Sequence, residues 1–369
     1  MTDQTAAAGS PSSYACAGCG ARVEYVPGTT VLRCPYCGHQ RQLAAAGRQV
    51  REHPYAELAG LLPRKPLAGV DGHVLGCERC GARTQSSALS EMCQFCGAPL
   101  VADVNAGDQI APEAVLPFEL DHDGVRTALR RWVSSRWFAP TSLKRVTEAE
   151  SLKGTYLPHW TFDARTVSDY DGRRGDHYWE TETYTETVNG EQQTRTRQVR
   201  KTRWRSASGT VWRDFDDVLV AATRHLAEAQ LGKLEPWPLE HVVPYQPDYL
   251  AGYQTLRYDT EPDAGLATAK TVMAEVIEQD CRHDIGGDEQ RVTSVDTRYS
   301  DITFKLVLLP VWIACYLHGG RTWQVLINGR TGEVIGQRPY SAIKIAMAVA
   351  VATAVLAVAI LLIVQSRAS

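Results

Sequence analysis

Eight of the ten cysteines in this 369-residue chain form four Cys-x-x-Cys pairs: Cys16 with Cys19, Cys34 with Cys37, Cys77 with Cys80, and Cys93 with Cys96. Fourteen residues separate the first two pairs and 12 the second two, the spacing of tetrahedral four-cysteine zinc sites. Two residues between cysteines let one tight turn aim both thiolates at a single ion. A second pair on a neighbouring turn then completes the tetrahedron. Glycine follows every pair, at Gly20, Gly38, Gly81 and Gly97. A backbone that curls back toward a metal through positive φ leaves no room there for a Cβ. The chemistry expected is therefore the binding of two structural Zn2+ ions by these eight residues. Four protein thiolates leave no open position for water, so such ions hold a fold together and hydrolyse nothing. His39 and His73 flank the clusters and read as solvated side chains, because each cluster already has its four sulfurs.

A disulfide scaffold is the competing use of so many cysteines, but it belongs to short chains behind a signal peptide. Residues 1–13 (MTDQTAAAGSPSS) are polar and lack an apolar core, which points to a reducing compartment. Other chemistry is sparse. Neither a Gly-x-x-x-x-Gly-Lys-Ser/Thr phosphate loop, a His-Glu-x-x-His pair nor a Gly-x-Ser-x-Gly elbow occurs. Cys281 and His283 are too close in sequence to face one another productively and read as a helix end. Asp214, Asp216 and Asp217 resemble a carboxylate cluster, yet they precede an amphipathic run over 218–231 and are expected to stabilise the start of a helix. No catalytic residues are assigned.

Charge disfavours polyanions as partners. The formal net charge is −3, from 39 basic and 42 acidic side chains. Residues 1–105 carry 9 basic and 8 acidic side chains, and each four-thiolate zinc centre adds about two negative charges. A phosphate-binding ribbon needs an evident basic face, so protein docking is preferred and nucleic acid is unlikely as a partner.

The elements that must position these residues read as α+β. The expected divisions are a disordered 1–13, a first ribbon at 14–44, a proline-bearing linker at 45–72 that lets the ribbons move separately, a second ribbon at 73–105, and an α+β domain at 110–340. Within that domain, 124–138 is an amphipathic helix with Val125, Leu129, Trp132, Val133 and Trp137 at helical spacing. Strands are expected at 156–164 and 304–317, each containing Leu-Pro-x-Trp and each following a helical stretch, the second at 266–280. That repetition suggests an internal duplication, and a proline inside a strand suggests an edge or a bulge. Residues 179–204 alternate and turn at Asn189-Gly190, a type I′ hairpin sequence. This register sets Glu182 opposite Arg197 and Glu186 diagonal to Arg195, so the hairpin's cations are neutralised across it. Residues 322–336 form a second hairpin around Asn328-Gly329-Arg330-Thr331-Gly332.

A transmembrane helix is expected at 343–364, followed by a short tail at 365–369. Residues 345–364 carry no charge and only Thr353 is polar, enough at 1.5 Å per residue to cross about 30 Å of hydrocarbon. Arg330, Arg338 and Lys344 before it outnumber Arg367 after it, which places the N-terminal bulk in the cytoplasm of a single-pass, tail-anchored protein of the cell membrane.

The cysteine pairs resemble transcription-factor-type zinc ribbons, and the hairpin at 322–336 resembles the closing hairpin of PepSY propeptide-type modules, which implies fold only. The double ribbon taken with Leu157-Pro158-His159-Trp160, Asp216-Asp217-Val218-Leu219-Val220, Leu234-Glu235-Pro236-Trp237, Pro247-Asp248-Tyr249-Leu250-Ala251-Gly252, Ile285-Gly286-Gly287-Asp288 and 327–332 resembles a bacterial family of zinc-ribbon membrane proteins. Members are often auto-named as primosomal, replication-factor-Y-like helicases, although this chain has no ATP-binding loop. Some relatives are associated with flotillin-like (SPFH) and phage-shock membrane-stress proteins. The resemblance implies a non-enzymatic, membrane-anchored adaptor that recruits cytoplasmic or membrane-associated proteins. The alternative is a nucleic-acid-binding replication or transcription accessory.

Overall fold

The computed structural model describes residues 14–61, 73–86, 91–103, 109–135, 152–188, 191–226, 228–318, 321–336 and 342–368. The expected disordered 1–13, residues 62–72 of the linker, Trp137 and the Asn189-Gly190 turn lie outside these.

Strands dominate, 46% against 25% helix, so the α+β expectation is corrected to a mostly β fold. Three strands run far beyond the usual five or six residues: β9 Lys153–Val188, β10 Glu191–Ala221 and β13 Glu289–His318. β9 is the spine. It pairs antiparallel with β10 on one edge and β13 on the other. At about 3.3 Å per residue it extends on the order of 100 Å. The runs read at 156–164 and 304–317 are the buried segments of β9 and β13, and the alternating 179–204 is the far end of the β9–β10 pair; the polar stretches joining them carry no apolar period.

The shorter strands are β1 Glu24–Tyr25, β2 Val31–Arg33, β3 Gln40–Gln42, β4 His53–Pro54, β5 His73–Gly76, β6 Arg83–Ser86, β7 Val101–Ala102, β8 Ala114–Val115, β11 Val243–Pro244, β12 Gln254–Leu256, β14 Arg321–Asn328 and β15 Val334–Gly336. Strands β1 to β3 form a sheet of their own. The others join one 12-stranded sheet, in the order β11-β8-β13-β9-β12-β6-β5-β7, with β10, β14, β15 and β4 attached off this path. Helix α1, His122–Ser134, is capped by Asp121 Oδ1 accepting from the Gly124 amide at 2.9 Å. Helix α2 covers Pro262–Ile285.

The two Leu-Pro-x-Trp segments lie side by side at the centre, with Leu157 opposite Leu309. Trp160 and Trp312 are buried and each indole donates to a backbone carbonyl, Thr260 O at 2.9 Å and Leu120 O at 3.1 Å. Each carbonyl belongs to the second residue before a helix start, α2 and α1 respectively. β12 runs parallel to β9 at Tyr156, and β8 parallel to β13 at Leu308. The lead-in strand preceding each long strand thus pairs with the other one. Neither proline is at an edge or a bulge. Pro158 sits where β9's neighbour changes from β10 to β12, and Pro310 where β13's changes from β8 to β14. At each handover a missing N–H is tolerated.

The predicted helix over 218–231 is replaced by the end of β10 and a single helical turn, Glu228–Leu231. The Asp214, Asp216 and Asp217 run therefore caps nothing. Asp217 sits at φ 53 in a bulge between Phe215 and Val218. The C-terminal helix α3, Ala342–Ala368, forms, but among the described residues no helix is long and apolar enough to cross a membrane. The transmembrane span, the single-pass membrane localisation and the anchoring role drawn from it are corrected on that finding.

Candidate metal centres

Four copies of one backbone knuckle carry the cysteines. In each, the first cysteine's amide donates to the carbonyl five residues on: Cys16 to Ala21 at 2.6 Å, Cys34 to His39 at 2.8 Å, Cys77 to Ala82 at 2.9 Å and Cys93 to Ala98 at 2.7 Å. The glycine after each pair returns its amide to the first cysteine's carbonyl at 2.8 to 3.0 Å. Those glycines adopt φ between 70° and 77°, a region that disfavours any other residue. The sequence reading of their role rests on this geometry.

Two such knuckles face each other in each ribbon. Cys16, Cys19, Cys34 and Cys37 bring their sulfurs within 4.8 Å of one another, and Cys77, Cys80, Cys93 and Cys96 do the same. The close cross-knuckle separations are 3.4 Å for Cys16–Cys37 and for Cys77–Cys96, and 3.6 Å for Cys19–Cys34 and for Cys80–Cys93. A zinc ion about 2.3 Å from each sulfur sets sulfur–sulfur edges of about 3.8 Å, so both sets have the size and shape for one ion. Backbone amides also turn toward sulfur, Gly18 N to Cys16 Sγ at 3.3 Å and Phe95 N to Cys93 Sγ at 3.4 Å.

The electrostatics call for a cation. The Cys37 amide, followed by burial acting the other way and the Tyr36 amide, leaves Cys34 lowered to about 7. Burial raises Cys77, but the Cys80 amide and the Cys96 sulfur outweigh it and bring it down to about 7. Their neighbours move oppositely. The Ala21 amide lowers Cys19, yet the Cys37 and Cys34 sulfurs leave it raised to about 12. Burial, with Cys77 adding to it against the Ala82 amide, pushes Cys80 up to about 11. Four sulfurs this close ionise together only around a dication.

The ribbons are held differently. In the first, Cys16 and Cys34 join a core with Tyr25, Tyr249 and Phe118, while its sheet stays separate. The second shares strand pairing with the body. Strand β6 pairs with β12, which pairs with β9, so this ribbon is part of the main sheet, and Cys77 and Cys93 pack with Leu157, Leu256 and Leu326. His39 is exposed beside the first centre; the His73 side chain lies outside those described.

A third group, Asp163, Asp216 and Asp217, also brings three carboxylates within 4.8 Å. It differs in kind. The buried Lys305 ammonium, 5% exposed, bonds to both Asp217 and Glu52. Burial pulls Lys305 down, but those two carboxylates hold it above the ordinary lysine range. Asp163 accepts from the Asp217 amide at 2.7 Å and from Thr303 Oγ1 at 3.0 Å, pinning bulges in both flanking strands. The lysine supplies the positive charge a metal would bring. Sequence reasoning missed this node because Glu52 and Lys305 are remote in the chain. Cys281 is buried in the α2 core and His283 is exposed, so the two do not meet.

The two four-cysteine clusters fit a double zinc ribbon. Among known proteins, the chain is similar to a Bacillus subtilis (strain 168) protein named "Uncharacterized protein YdjG", 28% identical over 258 residues that cover 68% of this chain and 70% of that one. No family model matches the chain, and no solved structure does.

Proposed function

We propose that the protein is a non-enzymatic scaffold whose two zinc-folded ribbons present rigid docking surfaces to other proteins, the flotillin-like class among them. The observation that supports this is Tyr36. It stands 82% exposed between Cys34 and Cys37 at the rim of the first centre, where the knuckle fixes its backbone at no further entropic cost. Rigidly mounted tyrosines are favoured anchors at protein interfaces. The closed four-sulfur geometry supports a structural and not a hydrolytic role for each ion.

Nucleic acid is the weaker reading. Three of the hairpin arm's cations are met by carboxylates, Arg195 to Glu186 at 3.3 Å, Arg197 to Glu182 at 3.1 Å and Lys201 to Glu180 at 2.8 Å. A photo-crosslinking amino acid in place of Tyr36 in the full chain is expected to capture a discrete protein, and Tyr36→Ala to weaken that partner's binding at least several-fold. Crosslinks to RNA or DNA, lost as salt rises, would replace this reading with the nucleic-acid one.

A further inference from the structure

We infer that the two metal centres are unequal: the first is an exchangeable zinc site, open to small chelating ligands along its Cys19–Cys37 edge, and the second is locked. This rests on the zinc reading above. In the first centre Cys16 and Cys34 are buried whereas Cys19 and Cys37 are exposed, so the tetrahedron has one edge in the core and the opposite edge in solvent. A Cβ built on Gly20 or Gly38 meets no atom within 4 Å, and in the second centre the same holds for Gly97 but not for Gly81.

The second centre has the same knuckles under a brace. Cys80 and Cys96 are only partly exposed. A Cβ on Gly81 would lie 3.9 Å from His225 Cε1, and the Phe95 ring, inside the other knuckle, stacks on the same imidazole at 5.7 Å and 28°. His225 is fixed in turn by Asp259, its Nε2 3.0 Å from the carboxylate. The Gln324 amide donates to the Phe95 carbonyl. His225 thus stacks on one knuckle and lies beside the other, and β6 is tied to the main sheet through its pairing with β12 and that of β12 with β9.

Exchange at the first centre needs no redox step. Cys19 and Cys37 would be the thiolates to give way, each leaving with its electron pair and taking a proton from solvent, as an incoming thiolate or aminocarboxylate took its place on an ion that would stay divalent. Removal of that ion frees a three-stranded sheet and leaves the main sheet standing. Ribbon 1 would then order or loosen with the supply of zinc and of small chelators, a control on whatever docks there.

The test uses the purified full chain loaded with zinc and excess 4-(2-pyridylazo)resorcinol. Release is expected in two phases of one equivalent each, the first faster by about tenfold or more. Alkylation by N-ethylmaleimide during the first phase, mapped by mass spectrometry, should label Cys19 and Cys37 and spare Cys77 to Cys96. His225→Ala should accelerate only the slow phase, by about tenfold. A single release rate for both ions, or early labelling of Cys80 and Cys96, overturns the inference while leaving the double zinc ribbon intact. A chain that binds no zinc removes both.

Discussion

His159 is 2% exposed near the start of β9, with its Nδ1 donating to Leu157 O at 3.1 Å and its ring 6.4 Å from that of Trp237. Burial drives its pKa down to about 4, with the Leu157 carbonyl opposing weakly. The unfolded chain takes up this proton near pH 6.5 and the folded chain only near 4. Stability present above about 6.5 is therefore lost as the pH falls toward 4, by up to about 3 kcal/mol. Chemical denaturation at pH 7 and pH 4.5 should show the native protein losing more stability than His159→Gln. Acid loss of zinc is common to both and cancels in the comparison, so equal losses would mean that the imidazole is not kept neutral. At this scale the eight cysteines and four glycines were plain in the sequence because a knuckle is local: spacing and a positive φ define it. The Lys305–Asp217–Glu52 node was not, since ion pairs between remote segments leave no local pattern.

Among the elements, the β9–β10 hairpin is the most distinctive. Strand β13 stops pairing with β9 at Gly175, and from there two strands continue alone. One face of this arm carries Glu180, Glu182 and Glu186 across from Arg195, Arg197 and Lys201; the other carries Thr181, Thr183, Thr185, Gln192, Thr194, Thr196 and Gln198. Exposed ion pairs of this kind contribute about 0–1 kcal/mol each, and the arm has no core of its own. Replacing 178–201 with Asn-Gly, which closes the hairpin at the His177–Thr202 pair, should leave the thermal midpoint and zinc content of the body unchanged. A drop like that from deleting a buried aromatic would show that the arm folds back on the body. The charge register of this hairpin was legible because Asn-Gly and period-two alternation fix it. The end of β10 was not, because residues 218–231 have helical spacing and only pairing with Phe162 to His159 makes 218–221 a strand. Tertiary pairing overrode local pattern there.

The whole molecule is one β platform to which the ribbons are joined in two ways, one docked through side chains and one through strand pairing. Parallel contacts such as β12 with β9 connect segments about a hundred residues apart. No composition or periodicity could announce them, which is why two mobile ribbons were expected where one is built into the sheet. Hydropathy at the C-terminus was likewise an incomplete guide: it registered an apolar helix, and among the described residues no helix is long and apolar enough to cross a membrane. What binds this architecture together is the claim that eight sulfurs close around two ions. Elemental analysis of the purified full chain by inductively coupled plasma mass spectrometry tests it most directly. Two zinc atoms per chain are expected, with Cys16→Ser and Cys77→Ser each losing one. A metal content near zero, or two equivalents that survive both substitutions together, would contradict it.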